Sequence, residues 1–116
     1  MATFTKAILS GSTSGKGVVV VATATAGTLI HTAVAGASAI DEIWLYAVNT
    51  STSAVKLTVE YGAATAPDNN IELTVAAESG LVLVSPGLIL NGALTVKAFA
   101  ATASVIVLYG YVNKIA

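Results

Sequence analysis

His31 is the only side chain in this 116-residue sequence whose unperturbed chemistry changes charge near neutral pH. A general base needs a nucleophile to activate and a carboxylate to orient it, and neither lies near His31 in sequence. The expected role is a strand histidine satisfied within the domain or at an interface. Asp41-Glu42 and Asp68-Asn69-Asn70 could each offer oxygens to a calcium ion. Neither shows the spaced acidic ligands of a loop site, and with no cysteine there is no zinc set. Asp68–Asn70 follows Pro67 and reads as a turn closed by side-chain hydrogen bonds. Asp41 and Glu42 flank the entry to an apolar run, where they read as guards against mispairing or as rim contacts to a neighbour.

Two short motifs invite chemistry and fail on detail. Gly11-Ser12-Thr13-Ser14-Gly15-Lys16-Gly17 approaches a phosphate-binding loop. It is one residue short, Gly17 stands where the magnesium-binding Ser or Thr belongs, and it precedes a strand instead of opening a helix. Asn49-Thr50-Ser51 matches a glycosylation acceptor, but Met1–Lys16 lacks the basic and apolar regions of a signal peptide. The residues support no enzyme and imply no cofactor.

The elements that carry these residues are strands. Val, Thr and Ile are plentiful, and few windows show a 3.6-residue period. Strand-like runs cover Gly17–Thr25, Thr28–Val34, Ile40–Asn49, Ala54–Gly62, Ile71–Val75, Leu81–Val84, Leu88–Leu90, Leu94–Ala100 and Ala103–Asn113. Breaks fall at Ala35–Ser38, Asn49–Ser53, Ala63–Asn70, Glu78–Gly80, Ser85-Pro86-Gly87 and Asn91-Gly92. About eight strands at this spacing predict a single all-β, antiparallel β-sandwich over residues 17–116, with a jelly roll first and an immunoglobulin-like sandwich or small barrel second. Residues 1–16, with their Ser/Gly-rich stretch, read as a flexible N-terminal arm.

Composition points to assembly. Only 9% of residues are charged while 55% are hydrophobic, against a charged share of about 25% in ordinary soluble domains. Net charge is −1 and arginine is absent, which argues against nucleic-acid binding. Gly17–Ile40 carries no formal charge and is long enough to cross a bilayer, but its threonines, glycines and His31 fit short strands rather than a membrane helix. The most telling run is Ile40–Val48. Ile43, Leu45 and Ala47 would fill one strand face, yet Trp44, Tyr46 and Val48 make the other face apolar as well. Either face can serve as the core, and the other then needs a cover. Trp44, Tyr46, Tyr61, Tyr109 and Tyr111 suit packing of this kind more than a sugar-stacking platform.

Thr28–Thr32, Asp41–Ser51 ending in Val-Asn-Thr-Ser, Val55–Gly62 ending in Tyr-Gly, and Tyr109-Gly110-Tyr111-Val112 together resemble small structural proteins of tailed bacteriophages. The resemblance implies jelly-roll cement or decoration proteins, homotrimers on the capsid exterior that bridge major capsid protein subunits. It implies a virion location, with the host cytoplasm during assembly, and no catalytic residue is carried over. A tail or fibre sandwich that binds a host receptor or glycan is the alternative. On this reading Trp44, Tyr46, Val48, Tyr109 and Tyr111 form the oligomer interface, and the arm residues Thr3, Phe4, Lys6, Ile8 and Leu9 contact the capsid.

Overall fold

A computed structural model describes residues 3–116. Alternation makes the central strands. Val55, Leu57 and Val59 of the run Val55–Tyr61 point into the core while Lys56 points to water. Ile40–Asn49 alternates without a break between buried and half-buried positions.

Nine strands are present among the described residues, and no helix: β1 (Phe4–Ile8), β2 (Val18–Val19), β3 (Thr28–Thr32), β4 (Ile40–Asn49), β5 (Val55–Tyr61), β6 (Asn70–Val75), β7 (Val82–Leu90), β8 (Thr95–Ala100) and β9 (Ile106–Ile115). They form two antiparallel sheets. Sheet A has the order β1-β9-β4-β7, with β2 also on β9, and sheet B has the order β3-β8-β5-β6. The sheets enclose one core, in which Ile30, Ile43, Leu45, Leu57, Val59 and Leu108 are fully buried. The expected all-β sandwich is therefore present. Among the described residues no helix is long and apolar enough to cross a membrane.

Three local expectations change. The segment expected as a flexible arm is instead built into the sandwich, except that Met1 and Ala2 lie outside the described residues. β1 pairs with β9 from Phe4↔Ile115 to Ile8↔Tyr111, and Leu9 is buried in the core. Gly11 N–H then donates to Ile30 O at 2.9 Å, and Ser12–Lys16 closes a turn with Lys16 N–H on Thr13 O at 3.0 Å. The run Gly17–Thr25 forms a strand only at Val18–Val19, because beyond Val20 the chain leaves sheet A to meet β8, Ala100 N–H donating to Ala22 O at 3.0 Å.

The two short strands expected on either side of Ser85-Pro86-Gly87 are one strand, β7. Its register on β4 shifts twice, between Ile43 and Trp44 and between Leu45 and Tyr46. A bulge tolerates an extra residue, and Pro86, which has no N–H to give a ladder, is tolerated on a strand at the edge of sheet A. Ser85 turns inward and its hydroxyl donates to Ile43 O at 2.8 Å.

Candidate interaction surface

The pairing of β9 with β4 sets the outer face of sheet A. Trp44 lies opposite Tyr111, Tyr46 opposite Tyr109 and Val48 opposite Val107. The inward set is Asp41, Ile43, Leu45, Ala47 and Asn49, all buried. So Ile43, Leu45 and Ala47 face the core, and Trp44, Tyr46 and Val48 face out, each still partly exposed. The five residues expected at an interface, Trp44, Tyr46, Val48, Tyr109 and Tyr111, stand side by side on this one face. Tyr61 does not join them; it sits on sheet B, and its hydroxyl donates to Leu88 O at 2.9 Å. Burial and the nearby Asp41 charge push the Tyr61 phenol up, so it stays a donor.

β1 extends the same face. Phe4, Lys6 and Ile8 alternate outward, and Phe4 is 69% exposed. Thr3 is tied to Ala116 by a pair of backbone bonds at 2.6 and 2.9 Å. Leu9 cannot contact a capsid, because it is buried in the sandwich. Across the sheet, Leu83 and Ile89 of β7 continue the apolar surface, opposite Tyr46 and Glu42. The four strands, of five, ten, ten and nine residues at about 3.3 Å each and about 4.8 Å apart, give a face on the order of 500 Å². That is more than half of the roughly 800 Å² that one partner contributes to a standard protein interface.

Several groups on this face already partner one another. The Trp44 and Tyr111 rings stack with centroids 6.2 Å apart, and Lys6 Nζ lies 4.8 Å from the Tyr111 ring centre. Trp44 Nε1–H and Asn113 Nδ2–H donate to Glu42 Oε1 at 2.8 and 2.9 Å. Those two bonds hold the Glu42 carboxyl below its ordinary range, the Trp44 bond most.

Behind the face, the sites read from sequence serve structure. His31 Nδ1 accepts the Ser10 backbone N–H at 3.0 Å, so the ring proton is on Nε2, which bonds to Asp41 Oδ2 at 2.7 Å. The pair resembles the orienting half of a catalytic triad, but the nitrogen that would take a nucleophile's proton is held by a backbone amide. Asp41 also bonds to Lys114 Nζ at 3.1 and 3.2 Å and accepts Val34 N–H at 3.2 Å. Burial alone would raise its carboxyl. The His31 and Lys114 hydrogen bonds and the Lys114 charge outweigh burial and hold it below its ordinary range. Asp41 is thus no rim contact, whereas its neighbour Glu42 does stand on the outer face.

Asn49 is buried with both amide hydrogens used, on Ser53 O at 2.8 Å and Val75 O at 3.0 Å, so its nitrogen is closed to a glycosyl donor. Asp68 and Asn69 lie in the turn that leads into β6, with Asn70 N–H on Pro67 O at 3.1 Å. The described residues hold no cluster of three or more metal-ligating side chains. Sequence reading missed Glu60. It is buried on β5, where it accepts Gly27 N–H at 2.7 Å and the Thr25 hydroxyl, clamping the chain after β2 over sheet B. Its place in an otherwise regular alternation left no signal.

No protein-family model, curated protein or solved structure matches this chain.

Proposed function

We propose that this chain is a structural protein of a tailed-bacteriophage virion. It sits on the capsid exterior as a homotrimer and stabilises the shell by bridging major capsid protein subunits. The observation that carries this reading is the outer face of sheet A, an apolar, aromatic surface four strands wide in which the Trp44 and Asn113 donors are already taken up by Glu42. A chain acting alone would leave that face to water, and a sister copy covers it. Apolar burial contributes about 25 cal/mol per Å², enough to hold such an assembly.

The strand orders β1-β9-β4-β7 and β3-β8-β5-β6 support the jelly-roll form of the sandwich. Every connection from β2 to β9 crosses between the sheets except β5 to β6, as expected when paired strands wrap around a barrel-like core. The likeness of Asp41–Ser51 and Tyr109–Val112 to phage structural proteins supports the virion location. Because β1 belongs to the sheet, the capsid is gripped by the assembled sandwich and not by a trailing arm. Each copy needs only a modest contact, since a trimer that engages several subunits gains by effective concentration.

The test is to mix the purified protein with capsids that lack it and image them by cryo-electron microscopy. The expected result is density at three-fold or quasi-three-fold positions of the shell. Bare shells beside free protein would overturn the capsid reading in favour of a tail or fibre role.

A further inference from the structure

The outer face of sheet A carries a projection at one edge, and a depression opens beside its other edge, at the same end of the strands. Phe4 projects from β1 and is 69% exposed, and Ile89 on β7 is 57% exposed. Ile40, Ile89, Leu90, Asn91 and Leu94 line an open depression of about 230 Å³ beside β7. An apolar cavity of about 150 Å³ is enough to take up benzene, so this one accommodates a phenyl ring. Phe4 and Ile40 both lie opposite Ile115, and Ile89, opposite Glu42, lies two residues further along, so projection and depression meet at the same end of the sheet.

The charges follow the same spacing. Lys6 stands two residues beyond Phe4, and Glu42 two residues beyond Ile40. β1 and β4 each run antiparallel to β9 and are therefore parallel to one another. A neighbour whose Phe4 enters the Ile40–Ile89 depression thus brings its Lys6 level with Glu42. Lys6 and Glu42 are the charged side chains of this face among the described residues, and they are of opposite sign.

We propose that the chain assembles head to tail, with Phe4 of each copy seated in the Ile40–Ile89–Leu94 depression of the next and Lys6 beside that copy's Glu42. This inference rests on the homotrimer reading and specifies its contact. Two different patches of one protomer meet, so the interface is heterologous, and a rotation of one third of a turn about an axis along the strands closes it into a ring. A two-fold dimer would instead bring like patches together.

The chain has no cysteine, which makes the contact directly testable. Within one protomer β9 and β4 separate Phe4 from Ile89, roughly 16 Å at three strand spacings and a two-residue offset along the strand. That is well beyond the ~7 Å limit for a disulfide. Doubly substituted Phe4→Cys/Ile89→Cys protein is therefore expected to cross-link between copies under mild oxidation, up to a covalent trimer on a non-reducing gel. Phe4→Cys and Ile89→Cys single variants are expected to cross-link when mixed and to stay uncross-linked when separate. Both positions are exposed, so the fold tolerates the changes. In parallel, Lys6→Glu and Glu42→Lys should each weaken assembly, and the double swap should restore it. Phe4→Ala should raise the concentration at which the assembly dissociates by ~100-fold. A trimer by sedimentation that gives no Phe4–Ile89 cross-link overturns this contact while leaving the trimer reading intact. Cross-linking of Phe4→Cys alone overturns it in favour of a two-fold arrangement. A monomer at every concentration overturns both.

Discussion

Replacing Asp41 with alanine removes the acceptor at which β3, β4 and β9 meet. The side chain is fully buried and takes bonds from His31, Val34 and Lys114. Truncation strands the His31 Nε2–H and the Val34 N–H, whereas Lys114, with 43% of its side chain exposed, turns to solvent. A buried donor left without a partner costs about 1–3 kcal/mol. Breaking a buried pair from one side costs about 3–5 kcal/mol in all. Against a total stability of about 5–15 kcal/mol, that lowers Tm by roughly 10–20 °C. Urea and thermal unfolding followed by Trp44 fluorescence measure it, at one fixed protein concentration because assembly adds to apparent stability. Lys114→Ala is the control and should cost about 1 kcal/mol or less, as an exposed partner does. The pH dependence has a definite sign. The folded Asp41 carboxyl lies below its ordinary value of 3.8, so its contribution is complete above that pH and is lost as pH falls through the folded value. Asp41→Asn should therefore flatten the acid limb of the stability curve below about pH 4. An Asp41→Ala protein that melts within a few degrees of the parent, or a Lys114→Ala variant equally damaged, would refute the reasoning.

Two further substitutions probe how the outer layers are held. Glu60→Ala frees Thr25 and Gly27 from their shared carboxylate, at a cost of about 1.5–3 kcal/mol per charge-assisted bond before the loop relaxes. Limited proteolysis should then cut within residues 22–27, and an unchanged digestion pattern would remove Glu60 as the clamp. Gly87→Ala meets a double obstacle: φ is +83°, and a Cβ there would stand 3.0 Å from Trp44 Cζ2. Gly80 has φ +73° but open space around it, so Gly80→Ala bears only the backbone strain of about 1 kcal/mol. Thermal melts should rank Gly87→Ala below Gly80→Ala, and only the former should shift Trp44 emission; equal melts would mean that Trp44 moves aside freely.

The strands of the core were legible because alternation is a local property. Ile40–Asn49 and Val55–Tyr61 declare themselves by residue type, and the first of them declares a second apolar face. Which of its faces looks inward was not legible, since both are apolar. That choice is made by Asp41 and Asn49, which share the inward parity and find partners only inside. β1 was hidden because a short run beside a Ser/Gly-rich stretch looks like an arm, and its strand character depends on β9 more than a hundred residues away. β7 was split because Pro86 and Gly87 break central strands but are tolerated in a bulged edge strand. The buried set was least legible of all. Asp41 meets Lys114 across 73 residues, and Glu60 meets Gly27 across 33. Neither spacing follows any local period.

The most direct test is the mass of the assembled protein in solution. Sedimentation equilibrium of the purified chain is expected to give three times the 11.5 kDa protomer mass, and Trp44→Asp or Tyr46→Asp is expected to return it to one protomer. A wild-type protein that sediments as a single protomer up to millimolar concentration would show that the outer face of sheet A is not an assembly surface.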